Sequence, residues 1–222
     1  STLLTEILST SKNVSCNNNI GLREGQHLPE AHDLLFTKNR WDPNKEIGWN
    51  RIKKIWSKYW DRSKSILLEK SPPNICRTND IDKIFSNSKY ICLVRDPYAQ
   101  IQSNIRRYNT DIEVATEKYI SYLKFQKNNI ENLENTLVIS YEELADNALK
   151  TKEKISSFLP LLKDINIDLK FNAHNMHQKK QMGITNLNQE SIKALSKDQI
   201  NSINTILNKE QELIKYFNYN IL

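Results

Sequence analysis

Glycine and cysteine are scarce in this chain of 222 residues, and no long apolar segment occurs in it. The sequence has four glycines, and none of them is followed by Lys and then Ser or Thr, so it contains no Gly-Lys-Ser/Thr phosphate loop. The three cysteines are odd in number and widely spaced, which excludes a disulfide framework and a zinc-ligand spacing and favours free thiols in a reducing compartment. No run of about 18 apolar residues is present, so we predict no membrane span, and no secretory signal pattern opens the sequence.

Basic residues outnumber acidic ones, with 32 Lys and Arg against 26 Asp and Glu, a formal net charge of +6 and a pI near 9.1. This balance suits an anionic ligand, which could be a nucleotide, nucleic acid, a sulfated sugar or an acidic peptide. The length allows one sizeable hydrophobic core, so we predict a single domain over residues 1–222.

Three short apolar runs are typical of strands buried on both faces, and they alternate with segments of helical periodicity. The predicted strands are Ser65–Leu68, Tyr90–Val94 and Thr136–Ser140. The predicted helices are Leu3–Ser9, Trp49–Asp61, Ile81–Phe85, Pro97–Tyr108, Ile112–Glu131, Glu142–Leu159 and Lys197–Phe217. This alternation predicts an α/β fold with a parallel sheet flanked by helices, and ligands bound at the carboxyl ends of strands.

One helix has an aromatic stripe formed by Trp49, Trp56, Tyr59 and Trp60. We interpret this stripe as a helix face packed on the core, although part of it could line an acceptor site, because sugars and tyrosines both stack on aromatic rings.

A fixed positive charge, Arg95, follows the second predicted strand directly, and Asp96-Pro97 then opens a helix. That helix carries Ser103 and, one turn later, Arg107 on the same face. A guanidinium fork, a hydroxyl and a helix entrance together favour an anion such as a phosphate. The alternative is a surface arginine that merely follows a strand.

Six segments carry a resemblance to a known family in the correct order along the chain. They are Ser1–Leu4, Glu24–Leu28, Leu68–Asn74, Arg95–Ser103, Ser140–Leu144 and the tail Tyr216–Tyr219. The chain resembles the sulfotransferases that use 3′-phosphoadenosine 5′-phosphosulfate (PAPS), in particular the bacterial and Golgi-type branch that includes the tyrosylprotein sulfotransferases. The resemblance implies a P-loop-like parallel sheet.

For the donor, the resemblance implies that Ser1 and Thr2 are the last two hydroxyl residues of the loop that cradles the 5′-phosphosulfate. It also implies that the first strand and the glycine of that loop precede Ser1, which we therefore expect to lie downstream of the true start. The alternative role for both residues is a helix cap. Lys180 falls in the late loop that folds over the cofactor in this family.

The resemblance also assigns Arg95 and Ser103 to the 3′-phosphate of the donor, with Arg107 as a further arginine on the same helix. Tyr141 is expected to contact the adenosine part. The alternative for Tyr141 is a tyrosine packed at a strand end, with Glu142 or Glu143 capping the following helix.

For the chemistry, Glu24 is the candidate general base, because the matching glutamate is the base in the tyrosylprotein branch. His27, in a His-Leu-Pro context, is the second candidate and could face the acceptor. Lys70 is expected to stabilise charge on the leaving group. The alternatives are a surface Glu24 paired with Arg23 or a nearby lysine, and a solvated Lys70.

We therefore expect transfer of a sulfuryl group from PAPS to a hydroxyl or amine acceptor (a carbohydrate, a peptide tyrosine or a small metabolite), leaving PAP. No metal is required, and His174 and His177 lack a third ligand nearby. The alternatives are a P-loop kinase-like phosphotransferase and a non-catalytic module that binds a nucleotide or a polyanion. The expected location is the cytoplasm of a bacterium, with a Golgi-lumenal domain as the alternative, and no nucleic-acid partner is expected. The acceptor and the oligomeric state stay open.

Overall fold

The structure, a computed structural model, describes residues 1–18, 23–172 and 181–222. The chain divides into two compact units. The first comprises Ser1–Tyr90 and Ala148–Ile184, and the second comprises Ile91–Asn147 and Thr185–Leu222. The expectation of one domain stays a prediction.

The strands pair in twos within the described ranges. β1 (Val14–Cys16) runs parallel to β2 (Ile66–Leu68), β3 (Tyr90–Val94) pairs with β4 (Thr136–Ser140), and β5 (Phe171–Asn172) is antiparallel to β6 (Gln181–Met182). All three predicted strands are confirmed, and so is the α/β class with parallel strands flanked by helices. Burial on both faces does not hold throughout, because Leu67 in β2 is 42% exposed.

Helices occupy most of the remaining described chain. They are α1 (Thr2–Leu8), α2 (Pro29–Leu35), α3 (Trp49–Tyr59), α4 (Thr78–Ile84), α5 (Pro97–Tyr108), α6 (Ile112–Asn132), α7 (Tyr141–Asp146), α8 (Ala148–Phe158), α9 (Asn188–Lys193), α10 (Lys197–Leu207) and α11 (Gln211–Tyr216). Two predicted long helices are each broken. Helical backbone is lost at Asn147 (φ −134°, ψ 54°), and a 3₁₀ turn at Asn208–Glu210 separates α10 from α11.

An aromatic cluster forms the core of the first unit around α3. Trp49, Trp56 and Trp60 are buried, and the Trp56 ring stacks on Phe85 with centroids 5.7 Å apart. The interpretation of the stripe as core is confirmed for these three tryptophans. It is wrong for Tyr59, which is 39% exposed because Trp60 takes the core-facing position at the end of the helix.

The second unit packs α5, α6, α10 and α11 around one apolar core. Its fully buried members include Ile101, Ala115, Ile203 and Leu207. Asp96 begins α5, since its Oδ1 accepts a hydrogen bond from the backbone N–H of Ala99 at 2.9 Å, and Pro97 occupies the first helical position. This cap fixes the direction in which the chain leaves β3.

All three cysteines are free thiols, as predicted. Cys16 lies in the first unit and Cys92 in the second, and each is 5% exposed, whereas Cys76 is part-buried. Burial raises the pKa of each thiol, to about 11 for Cys92, so that little thiolate forms near neutral pH.

Candidate active site

Glu24 lies directly before the 3₁₀ turn Gly25–His27 in the first unit and is only 3% exposed. Its Oε1 lies 2.6 Å from Nζ of Lys70, which follows β2 by two residues. Its Oε2 accepts a hydrogen bond from Nε2 of Gln26 and lies 3.3 Å from Nε2 of His27. The alternative was a surface glutamate paired with Arg23 or a nearby lysine; the lysine partner is present as Lys70, whereas the surface position is not. The carboxylate is buried and is bound to an ammonium.

Arg23 is engaged elsewhere. Its Nε lies 3.0 Å from Oε1 of Glu6 in α1, and its φ of 53° places the backbone in the left-handed region. This backbone turn directly precedes Glu24, and the side chains of Arg23 and Glu24 contact different partners. Arg23 binds Glu6, whereas the Glu24 carboxylate contacts Lys70, His27 and Gln26.

A second carboxyl group, that of Glu69, holds the backbone beside Glu24. Its Oε2 accepts hydrogen bonds from the N–H of Gly25 at 3.0 Å and from Nδ2 of Asn17 at 2.8 Å, and its Oε1 accepts one from Nδ2 of Asn74 at 3.2 Å. Burial raises the pKa of Glu69 above the ordinary value. In the sequence, Glu69 stands out only as part of the segment Leu68–Asn74 that carries the resemblance.

Gly25 is required at its position by close contacts. A Cβ atom there would lie closer than 3.0 Å to side-chain atoms of Glu69, Asn17 and Trp56. Trp56 also donates a hydrogen bond from Nε1 to the carbonyl oxygen of Gly25 at 3.4 Å. Both polar groups of this glycine are therefore fixed by side chains of the core, and so is the start of the turn after Glu24.

His27 lies in a cluster of rings that includes residues of α2. Its ring centroid is 4.5 Å from that of Phe36 and 6.3 Å from that of His32, and the Arg40 guanidinium lies 4.0 Å from the Phe36 centroid. Burial lowers the pKa of His27, against the opposite effect of Glu24. The imidazole is therefore neutral near pH 7 and can accept or pass on a proton.

The residues predicted for the 5′-phosphosulfate lie at the beginning of α1. The carbonyl oxygen of Ser1 accepts hydrogen bonds from the N–H of Thr5 at 3.0 Å and from its Oγ1 at 3.1 Å. Ser1 occupies the N-cap position but makes no side-chain capping bond, and Thr2 is the first residue of the helix. Lys180 lies outside the described residues, as do His174 and His177.

In the second unit, Arg95 follows β3 and is held from three directions. Its Nε donates a hydrogen bond to Oδ1 of Asn188 at 2.8 Å, its guanidinium lies 4.4 Å from the ring centroid of Tyr141, and its carbonyl accepts one from the hydroxyl of Tyr119 at 2.9 Å. Within the described ranges, neither terminal nitrogen of Arg95 has a hydrogen-bond partner. Burial lowers its pKa, yet a guanidinium stays charged at neutral pH. The two terminal nitrogens of the charged guanidinium can therefore donate hydrogen bonds to an anion.

Ser103 and two exposed arginines follow on α5. Ser103 is part-buried, and its hydroxyl has no hydrogen-bond partner in the part of the chain that the structure describes. The Arg107 guanidinium lies 5.2 Å from the ring centroid of Tyr108. Arg106 acts on Arg95 electrostatically, as a like charge that lowers the pKa of Arg95. Arg106 and Arg107 follow Ser103 by three and four residues, so both lie at helical spacing from it.

Tyr141 begins α7 and contacts the segment before α9. Its hydroxyl donates to the carbonyl oxygen of Thr185 at 2.9 Å and accepts from the N–H of Leu187 at 3.1 Å. The expected capping of the following helix is also present, because Ser140 and Glu143 form a reciprocal capping box. Tyr141 is thus packed at a strand end, and it also offers a ring face to Arg95.

Glu142 lies at the centre of a polar network that sequence reasoning did not find. Its Oε1 accepts hydrogen bonds from the N–H of Asp96 at 3.0 Å and from Nδ2 of Asn188, and its Oε2 accepts one from the hydroxyl of Tyr219 at 2.8 Å. Burial, followed by the charge of Glu142, raises the pKa of Tyr219, so this phenol stays protonated and donates. The network ties the strand end to the C-terminal segment.

Two features are absent from the described ranges. No group of three His, Cys, Asp or Glu side chains in them is arranged to hold a metal ion. None of the helices in them combines the length and the apolar character that crossing a membrane requires.

The chain has an α/β architecture with charged side chains at strand ends, which is where α/β proteins commonly bind their ligands. The model of a family described as the sulfotransferase family matches residues 1–163. The chain belongs to the sulfotransferase family, and it is a transferase whose activity is of the sulfotransfer type. Such an activity has a sulfate donor and an acceptor.

Two further comparisons complete this picture. No curated protein matches the chain. Among solved structures, it is similar to a sulfotransferase domain from the curacin biosynthetic pathway, with 16% sequence identity and a TM-score of 0.48, over 78% of this chain and 68% of that one.

Proposed function

We propose that this protein transfers a sulfuryl group from PAPS to a hydroxyl or amine acceptor and releases PAP. The observation that carries the proposal is the buried ion pair of Glu24 and Lys70 in a member of the sulfotransferase family. A carboxylate that can take a proton and an ammonium that can stabilise a departing anion are the two groups that such a transfer needs.

Glu24 is the general base in this proposal. As the acceptor oxygen or nitrogen bonds to sulfur, its proton moves to the Glu24 carboxylate. The Lys70 ammonium, 2.6 Å from Oε1, holds the Glu24 carboxylate in a fixed orientation for this proton transfer. His27 is the second candidate, because its neutral imidazole lies 3.3 Å from the same carboxylate and can receive the proton directly or from Glu24.

Lys70 stabilises the negative charge that develops on the departing phosphate oxygen. Once Glu24 has taken up the acceptor proton, it no longer carries the charge that holds the ammonium of Lys70. The lysine can then donate to the departing group more strongly. PAPS supplies the activated sulfuryl group, and Glu24 and Lys70 supply the proton transfer and the charge stabilisation.

In the second unit, Arg95 and Ser103 bind the 3′-phosphate of the donor. The fit is supported by the open guanidinium fork of Arg95 and by the unpartnered hydroxyl of Ser103 among the described residues. Arg106 and Arg107 add positive potential on the same helix. The ring of Tyr141 contacts the adenosine part, as the resemblance implies.

The remaining donor contacts rest on the resemblance. Ser1 and Thr2 bind the 5′-phosphosulfate at the beginning of α1, and Lys180 is a further contact of the donor. A reaction without a metal ion and a cytoplasmic location complete the proposal, with a carbohydrate, a peptide tyrosine or a small metabolite as the acceptor.

Calorimetric titration with PAP tests the donor site. Wild-type protein should bind PAP, and Arg95→Ala should lose at least about tenfold in affinity, about 1.4 kcal/mol, because charge-assisted hydrogen bonds disappear. Arg62→Ala removes an exposed arginine from the first unit and serves as the matched control, with unchanged affinity expected. Equal affinity of wild type and Arg95→Ala would remove the proposed 3′-phosphate site.

Transfer of labelled sulfate from PAPS to a panel of phenols, tyrosine peptides, amines and sugars tests the base. Glu24→Gln should keep PAP binding and lose turnover, because the amide cannot take the acceptor proton. Turnover that survives in Glu24→Gln and disappears in His27→Ala would assign the base to His27. PAP binding without transfer to any acceptor would favour the non-catalytic nucleotide-binding module.

A further inference from the structure

Asn188, the first residue of α9, is 6% exposed and joins two charged groups through its amide. Its Oδ1 accepts from Nε of Arg95 at 2.8 Å, while its Nδ2 donates to Oε1 of Glu142. Both ends of a buried side chain are thus bound to groups that lie far away along the chain. Such a bridge fixes the geometry of whatever it holds.

The orientation of this amide is determined by its partners. An ionised carboxylate only accepts hydrogen bonds and a guanidinium only donates them. The NH₂ group of Asn188 must therefore face Glu142, and its oxygen must face Arg95. Glu142 is itself held by the N–H of Asp96 and by the hydroxyl of Tyr219, so the bridge is anchored to the backbone beside Arg95.

The hydrogen bond from Nε of Arg95 to Asn188 leaves the two terminal nitrogens of the guanidinium open to a ligand. The guanidinium is planar, Asn188 occupies its Nε, and Tyr141 covers one face, so the two terminal nitrogens are what remains for a ligand. The neutral amide adds no negative charge of its own beside Arg95, on which Glu142 and Asp96 already act electrostatically. A third carboxylate in its place would compete with an anionic ligand, whereas an amide directs the arginine without doing so.

We propose that Asn188 is the positioning residue for Arg95, turning its guanidinium fork toward the 3′-phosphate of the donor while Glu142 holds the amide in place. This inference rests on the proposed function, because it assumes that Arg95 binds the donor. Asn188 itself touches no reacting atom in this assignment. Its removal should weaken donor binding and leave the chemical step unchanged.

The test is calorimetry of PAP binding to full-length variants. Asn188→Ala should weaken PAP binding by about tenfold, because the fork loses its fixed direction. Asn201→Ala is the matched control, since Asn201 is an exposed asparagine of α10 in the same unit and bonds to neither Arg95 nor Asn188. That variant should bind PAP as wild type does.

A double variant separates positioning from general loosening. If Asn188 acts through Arg95, adding Asn188→Ala to Arg95→Ala should weaken PAP binding no further. In the transfer assay, the KM for PAPS should rise in Asn188→Ala with kcat unchanged. Asn188→Leu, which keeps the volume and removes both hydrogen bonds, gives a second measurement should the alanine variant unfold.

The outcomes distinguish this inference from the proposed function. Wild-type affinity in Asn188→Ala or Asn188→Leu, with a loss in Arg95→Ala, would overturn the role of Asn188 and leave the donor site standing. Additive losses in the double variant, or an equal loss in Asn201→Ala, would overturn it as well. No loss in Arg95→Ala would overturn both.

Discussion

Replacing Gly25 by alanine should destabilise the protein by about 2–3 kcal/mol. The added Cβ would meet Glu69, Asn17 and Trp56 closer than 3.0 Å, and all three side chains are held by hydrogen bonds or core packing. Overpacking of this kind costs about 1–3 kcal/mol, and moving Glu69 away from the Gly25 N–H forfeits roughly 1 kcal/mol more. Reduced backbone freedom in the unfolded chain offsets about 0.4–1 kcal/mol.

Urea denaturation followed by fluorescence measures this change as a shift of the midpoint at constant slope. Gly183→Ala is the matched control, because a Cβ at Gly183 meets no atom of the described residues within 4 Å, and we expect its effect to stay within about 0.5 kcal/mol. Turnover of Gly25→Ala should also fall, since the turn that carries Glu24 must move. Equal stability of the two alanine variants would refute the close packing around Gly25.

The remaining predictions concern charged groups of the first unit. Lys70→Ala should lower the unfolding free energy by about 3 kcal/mol in urea denaturation, because it leaves the buried Glu24 carboxylate without its cation. Lys58→Ala breaks an exposed pair with Glu30 at 2.7 Å and should leave stability unchanged. Equal effects of the two variants would contradict the burial of the pair formed by Glu24 and Lys70. Burial raises the pKa of Glu69, so the folded state binds the proton of this carboxyl group more tightly than the unfolded chain does. The unfolding free energy of wild type relative to Glu69→Gln should therefore fall as pH rises from the ordinary glutamate pKa of 4.5 through the raised pKa of the folded state. An identical pH dependence of the two proteins in chemical denaturation would show that this carboxyl titrates normally.

The strands were the most predictable part of this fold. Tyr90–Val94 and Thr136–Ser140 are continuous runs rich in apolar residues, and their bounds in the structure agree with the prediction. β1 was missed because Val14–Cys16 offers only three residues and includes a serine, too short for a periodic signal. The break at Asn147 was missed because helical spacing of apolar residues continues across it.

The candidate site shows a similar division between local and distant signals. Arg95 was found because a charge directly after an apolar run is a local pattern. Asn188 was not, because its partners Arg95 and Glu142 are 93 and 46 residues away along the chain. Glu69 was likewise hidden, since its bonds to Gly25 and Asn17 span 44 and 52 residues. Composition does not encode such long-range pairings, which only the folded chain establishes.

The two buried thiols allow local unfolding of the protein to be measured. Cys16 and Cys92 lie one in each compact unit, and at 5% exposure neither can meet an alkylating reagent until its surroundings unfold. The rate at which iodoacetamide modifies each of them, resolved by peptide mass spectrometry, therefore measures how often each unit opens. Adding a nucleotide during the reaction would reveal which unit it protects, without any label having to be introduced.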